Sequence, residues 1–179
     1  MKGIVFNLLE QLVSSEHGDE TWEALLDGTG LDGAYTSLGS YPDEDLFKLV
    51  GAASEALQVP PDDVTRWFGR GAMPLFAERY PQLFSEHRDT RSFVLTLNDI
   101  IHPEVRKLYP GAIVPEFDFD TTEATALGMD YYSPRKLCAF AEGLLLGAGD
   151  HYAETVAIEQ PRCMHRGDAS CRLEITFSP

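Results

Sequence analysis

Two short stretches hold side chains whose types and spacing could do chemistry together. In Arg91–Pro115, RSFVLTLNDIIHPEVRKLYPGAIVP, one histidine, His102, stands at the edge of an apolar helical stripe, about 60° round the helix from Val105. A neutral imidazole there can reach into an apolar cavity and ligate a metal through one nitrogen. In YYSPR, Tyr131, Ser133 and Arg135 place a phenol, a hydroxyl and a guanidinium on alternate residues. On an extended chain alternate side chains point the same way, and a guanidinium is the best fork for a carboxylate. Together the two stretches describe a pocket for a molecule with one metal and two carboxylates. Taken alone, each has a plainer reading: His102 as a partly buried structural histidine, and Ser133 as a helix cap with Arg135 on the surface.

A second constellation is Cys138 with Cys163, His165 and Cys171. Three thiolates and an imidazole are a legitimate tetrahedral zinc set, although the spacing is not that of paired CxxC motifs. The plainer reading is buried structural cysteines. No serine–histidine–acid triad, phosphate loop or paired-carboxylate motif stands out. The chain therefore reads as a binding or sensing module and not as an enzyme.

The elements that must position these residues change style near Pro115. The first part reads as helices over Ile4–Val13, Glu20–Leu26, Asp43–Leu57 and Asp62–Phe68, punctuated by Gly28–Gly33, Tyr41-Pro42 and Pro60-Pro61. Gly69, Gly71 and Pro74 predict a break, then a short helix over Pro74–Arg79. From Asp89, apolar residues at Val94, Leu97, Ile101, Val105 and Leu108 share one helical face until Tyr109-Pro110-Gly111 stops it. Pro103 predicts a kink beside His102. Strands are expected over Glu116–Asp120, Thr122–Tyr132, His151–Glu159 and Cys171–Phe177, with a helix over Pro134–Leu146 ended by Gly147 and Gly149. The fold class is α+β. A helical lobe, about 1–82, precedes a lobe of about 83–179 with a small antiparallel sheet of about four strands and two helices.

The 179 residues include 14 Lys+Arg and 29 Asp+Glu, a formal net charge of −15, which repels nucleic acid and anionic membrane. The hydrophobic fraction of 44% is that of a folded domain. Gly3–Leu9 is too short and too soon followed by Glu10 to read as a secretory leader. No stretch approaches the ~20 apolar residues of a spanning helix. A cytoplasmic protein with reduced thiols is expected.

A haem, with one iron and two propionates, meets the description of the first pocket. Here the chain resembles, over essentially its whole length, the haem–nitric oxide/oxygen-binding (H-NOX) domains, also found as the haem domain of soluble guanylate cyclase. The resemblance rests on Met1-Lys2-Gly3, on Leu108-Tyr109-Pro110-Gly111 with Pro115 beyond, and on Tyr131-x-Ser133-x-Arg135. It implies a haem b between the lobes. His102 would ligate the iron, Tyr131, Ser133 and Arg135 would hold the propionates, and Pro115 would distort the porphyrin. Val5, Leu9, Phe76, Phe140 and Leu144 would line the pocket, and Gly69 and Gly143 would be hinges.

Oxygen-binding members of the family carry a distal tyrosine supported by tryptophan and asparagine. The matching positions here are Phe140, Leu9 and Ala72. The resemblance thus implies a stand-alone sensor that binds nitric oxide and carbon monoxide, excludes oxygen and signals through release of His102. Its partner would be a separate protein such as a histidine kinase or a cyclic-di-GMP enzyme. Some relatives also carry a zinc and redox cluster like Cys138, Cys163, His165 and Cys171. The rivals are a haem enzyme of peroxidase type, for which the apolar pocket supplies no acid–base residues, and a zinc-stabilised, thiol-redox-responsive binding module.

Overall fold

The computed structural model describes every residue, Met1–Pro179. Four helices open the chain: α1 (Gly3–His17), α2 (Asp19–Thr29), α3 (Asp43–Leu57) and α4 (Pro61–Arg79). Their starts follow ordinary helix chemistry. Asp19 and Glu20 in α2, and Asp43, Glu44 and Asp45 in α3, put negative charge at the positive end of the helix dipole. Pro61 occupies the first turn of α4, where its missing N–H costs nothing. Phe6, Leu8, Trp22, Leu49 and Phe68 pack together as the core of this half.

The second half is a four-stranded antiparallel sheet, ordered β1-β2-β4-β3, with helices on one side. The strands are β1 (Glu116–Asp120), β2 (Ala126–Tyr132), β3 (Thr155–Arg162) and β4 (Cys171–Ser178). Leu127, Met129 and Tyr131 of β2 and Cys171, Leu173 and Ile175 of β4 alternate inward. The register pairs Tyr131 with Cys171. Helix α7 (Cys138–Tyr152) covers this face and runs alongside α4. Phe68 and Ala72 of α4 join the helical core, while Met73 and Ala77 join the core under the sheet.

Several expected boundaries are corrected. Helix α4 is continuous through Gly69, Gly71 and Pro74, and α7 runs through Gly147 and Gly149, taking in His151. Both corrections have one cause, the close approach of the two helices. A side chain at Gly69 would collide with the Phe140 carbonyl, and one at Gly147 would lie 2.5 Å from the carbonyl of Arg70. That carbonyl is the one Pro74 leaves without its helical donor, four residues on. These glycines are places of contact, not helix ends.

The predicted helix from Asp89 is three pieces: α5 (Thr90–Val94), a π turn over Leu97–Ile101, and α6 (His102–Leu108). The second half therefore has three helices, not two. Asp89 caps α5, accepting from Ser92 N at 2.7 Å. In the π turn Ile101 N reaches back five residues to the Thr96 carbonyl, at 3.0 Å. Pro103 follows at once, so the irregular turn falls where the ladder lacks a donor. Strand β2 begins only at Ala126, and β3 at Thr155.

Candidate functional site: an apolar cavity with a histidine and an arginine in its wall

A cavity of about 420 Å³ lies between α1, α4, α7 and the segment from Phe93 to Phe117. Of its 34 lining residues 27 are hydrophobic, so it suits a large apolar ligand with few polar handles. His102, Pro115, Tyr131, Ser133 and Arg135 all stand in its wall, as do Val5, Phe76, Phe140 and Leu144. Leu9, expected there, does not line the cavity. It points from α1 into the helical core, where Ala72 is also buried.

His102 begins α6 immediately after the π turn. Its ring stacks on Phe117, with centroids 5.6 Å apart. Burial lowers its pKa to about 4; nearby Arg106 adds to this, and a hydrogen bond to the Pro115 carbonyl opposes it. The imidazole is therefore neutral near pH 7, with a lone pair free to ligate. Asn98 fixes the preceding turn to the edge strand: its Nδ2 donates to the Phe117 carbonyl at 2.6 Å, and its Oδ1 accepts from Phe117 N at 3.3 Å.

Tyr131, Ser133 and Arg135 do not lie on one strand, because β2 ends at Tyr132. A turn carries Ser133 and Arg135 instead. The Tyr131 hydroxyl accepts from Leu137 N at 3.0 Å, and Ser133 Oγ accepts from Arg135 N at 3.2 Å. Arg135 Nε donates to Asp43 Oδ2 at 2.7 Å, and Nη1 donates to the Ile113 carbonyl at 2.7 Å. Its Nη2 makes no hydrogen bond within the protein. The arginine is thus held from two sides with one donor face left for an anion. That fits a molecule carrying carboxylates at the edge of an apolar body.

Sequence reasoning missed three contributors. Asp43 reaches Arg135 from α3 across 92 positions. Asn98 gave no signal beyond its neighbourhood to His102. Tyr80 and Tyr109 place a hydroxyl pair in the cavity wall, bonded to each other. Only Tyr109, within the Tyr-Pro-Gly stop, had drawn notice.

The second constellation assembles only in part. Cys138, Cys163 and Cys171 are all buried, with their sulfurs within 4.8 Å of one another. His165 is not with them. Its Nε2 lies 2.7 Å from the Lys136 carbonyl, and its side chain is exposed. The predicted four-ligand set is therefore a three-thiol set.

Comparison with known proteins gives the same answer as the cavity. The sequence profile of the haem-NO-binding family, HNOB, matches residues 2–160. An H-NOX protein from Shewanella oneidensis, solved in the Fe(II)NO state, is 35% identical, with TM-score 0.94 over 100% of both chains. The H-NOX from Shewanella woodyi, solved with IWP-051 in the Fe(II)CO state, is 34% identical, with TM-score 0.84 over 100% of this chain and 95% of that one. The unliganded Fe(II) H-NOX protein from K. algicida is 27% identical, with TM-score 0.89 over 100% and 97%. The chain therefore belongs to the haem-NO-binding (H-NOX) family: it is a haem-binding gas-sensor domain and not an enzyme.

Proposed function

We propose that this domain senses nitric oxide at a ferrous haem, binds carbon monoxide at the same place, excludes oxygen, and signals to a separate output protein. The haem would supply an open ferrous position for a diatomic gas. The rest falls to the chain. His102 would be the iron ligand: the Pro115 carbonyl accepts from one ring nitrogen, which leaves the lone pair on the other. Tyr131, Ser133 and Arg135 would hold the propionates, Arg135 through its unshared Nη2. Pro115 would press on the porphyrin, and Val5, Phe76, Phe140 and Leu144 would wall it. The observation that carries this reading is a neutral imidazole and an anchored guanidinium in the wall of one apolar cavity.

The choice of gas follows from the donors. Bound oxygen is polar and is held by a hydrogen-bond donor, whereas nitric oxide needs none. Phe140 brings no hydroxyl. The Tyr80 and Tyr109 hydroxyls are bonded to each other, which uses one of their two protons, and the Tyr131 hydroxyl accepts from Leu137 N. Exclusion of oxygen therefore rests on Phe140, at the position where oxygen-binding members carry a tyrosine. The Shewanella oneidensis relative was solved with nitric oxide and the Shewanella woodyi relative with carbon monoxide, which supports both ligands here.

For the signal, His102 is the residue that would link the haem to helix α6, and its release on gas binding would free that helix. Helix α6 would then relax about its π turn, with Gly69 and Gly143 as the pivot between α4 and α7. The gas acts by differential affinity for the two arrangements. The output partner, by family analogy, would be a histidine kinase or a cyclic-di-GMP enzyme, in the cytoplasm. No helix is long and apolar enough to cross a membrane. The test is an absorbance spectrum of the reduced, haem-loaded protein under argon, then with nitric oxide, carbon monoxide or oxygen. A Soret band that shifts with the first two and ignores oxygen is expected. A stable oxygen complex, or no Soret band after haem addition, would overturn the proposal.

A further inference from the structure

The three-thiol cluster lies outside the cavity and plays no part in the reading above. Cys138 opens α7, Cys163 follows β3, and Cys171 opens β4. The Cys163 sulfur is 3.8 Å from each of the others. A disulfide needs about 2.05 Å, so these are three separate thiols meeting at one point. No ammonium or guanidinium donates to any of the sulfurs; the one main-chain donor is Met164 N, 3.2 Å from Cys171 Sγ. Of the charged groups around the cluster, Asp168 Oδ2 accepts from Cys163 N at 2.8 Å, and the Lys136 ammonium donates to the Met164 carbonyl at 3.4 Å and not to a sulfur.

The fourth corner of a tetrahedron has no ligand. His165 is turned to a carbonyl. The side chain beside Cys138 is that of half-buried Gln160, a neutral amide and neither a thiolate nor an imidazole. Structural zinc takes four ligands, with thiols as thiolates. Three thiolates round a dication would bury a net negative charge beside Asp168, with no ammonium or guanidinium donating to the sulfurs.

We propose that Cys138, Cys163 and Cys171 form a three-coordinate site for a trivalent thiophilic oxyacid of the arsenous-acid class, and that they do not form a zinc site. Arsenous acid arrives neutral and prefers three sulfurs. Three S–H bonds and three As–O bonds break, three As–S bonds form, and three waters leave. Arsenic stays trivalent and no charge is created, so the reaction suits a buried cluster whose sulfurs accept from no cation. Loading the site would join the first turn of α7 to the β3–β4 connection.

The test uses the full, haem-loaded chain with reduced thiols, free of oxygen, titrated with sodium arsenite or with zinc chloride. Native mass spectrometry is expected to show one arsenic bound per chain with loss of three protons. An excess of zinc should not displace it. Each of Cys138→Ser, Cys163→Ser and Cys171→Ser should weaken arsenite binding by at least the roughly tenfold cost of lesser damage to ligand shells. Because serine in a buried site can unfold a protein, arsenic X-ray absorption on the unaltered chain provides a second measurement, with three As–S neighbours and no As–O expected. Binding that survives all three substitutions, arsenic retaining oxygen neighbours, or one zinc held tightly enough to exclude arsenite would overturn the proposal.

Discussion

Asp43 on α3 accepts from Arg135 Nε at 2.7 Å, with the two side chains only 29% and 14% exposed. The N-terminal ammonium reaches the other Asp43 oxygen at 2.5 Å. Burial alone would raise the Asp43 pKa, but the hydrogen bonds and charges of Arg135 and the ammonium outweigh it and hold the carboxyl below its usual range. Asp43 thus aims the guanidinium from the far lobe. Asp43→Asn keeps the shape but loses the charge, and leaves Arg135 free to swing. Haem loss to an excess of apomyoglobin should quicken by several-fold, or about 1 kcal/mol, with the gas spectra unchanged. Unaltered haem loss would show that Arg135 needs no such support.

The histidine segment predicts a pH effect on the haem-free protein. His102 has a folded pKa of about 4 against the usual 6.5. Between these values the unfolded chain takes up a proton that the folded chain refuses. Stability from this group is therefore complete above pH 6.5 and drains away as the pH falls toward 4. The full effect is on the order of 3 kcal/mol. Urea titrations at pH 7 and pH 5 should show a smaller loss for His102→Gln than for the unaltered chain. Equal losses would mean that the ring is not buried as a neutral group.

His102 should also be the one residue of the chain that holds the haem iron. His102→Gly is expected to lose the spectrum of a histidine-bound ferrous haem and to regain it when free imidazole is added, since the cavity wall keeps its shape around the missing ring. A variant with an unchanged spectrum would place the ligand elsewhere; the other histidines, His17, His87, His151 and His165, do not line the cavity.

How much of this was legible depends on the range of each interaction. The sheet, the α1 and α3 helices and the His102 and Tyr131–Arg135 stretches show in local pattern. Period-two burial in β2 and β4 and helical spacing in α1 are short-range signals. Several of the errors come from partners distant in sequence. Gly69 and Gly147 look like helix breakers until α4 and α7 are seen to touch there. His165 sits two residues from Cys163, yet a 3₁₀ turn sends it to Lys136. Asp43 is one of many acidic residues, and only tertiary structure singles it out.

The α4–α7 contact yields a paired prediction. At Gly143 an added Cβ would collide with the Arg66 carbonyl and lie 2.9 Å from Gly69 Cα. All of these neighbours are backbone, so the helices must part. Gly143→Ala should cost about 1–3 kcal/mol, read as a fall in thermal midpoint, and should alter the nitric oxide response if this crossing is the pivot. Gly28 in α2 is the control, because an added Cβ meets nothing within 4 Å. Gly28→Ala should raise stability by about 0.5–1 kcal/mol, with no change in gas binding.

Phe140 is the remaining lever on gas choice. It lines the cavity from α7 and stacks obliquely on Phe68, with ring centroids 5.0 Å apart. Phe140→Tyr adds one hydroxyl on α7, beside Phe68. Leu9 and Ala72, which could have carried supporting polar groups, face the helical core and give the new hydroxyl nothing to lean on. The expected outcome is oxygen binding that is weak and visible only near oxygen saturation, with nitric oxide binding intact. Oxygen titration of the reduced variant checks this. Tight oxygen binding from this single change would show that a donor needs no support, and that Phe140 alone sets the choice.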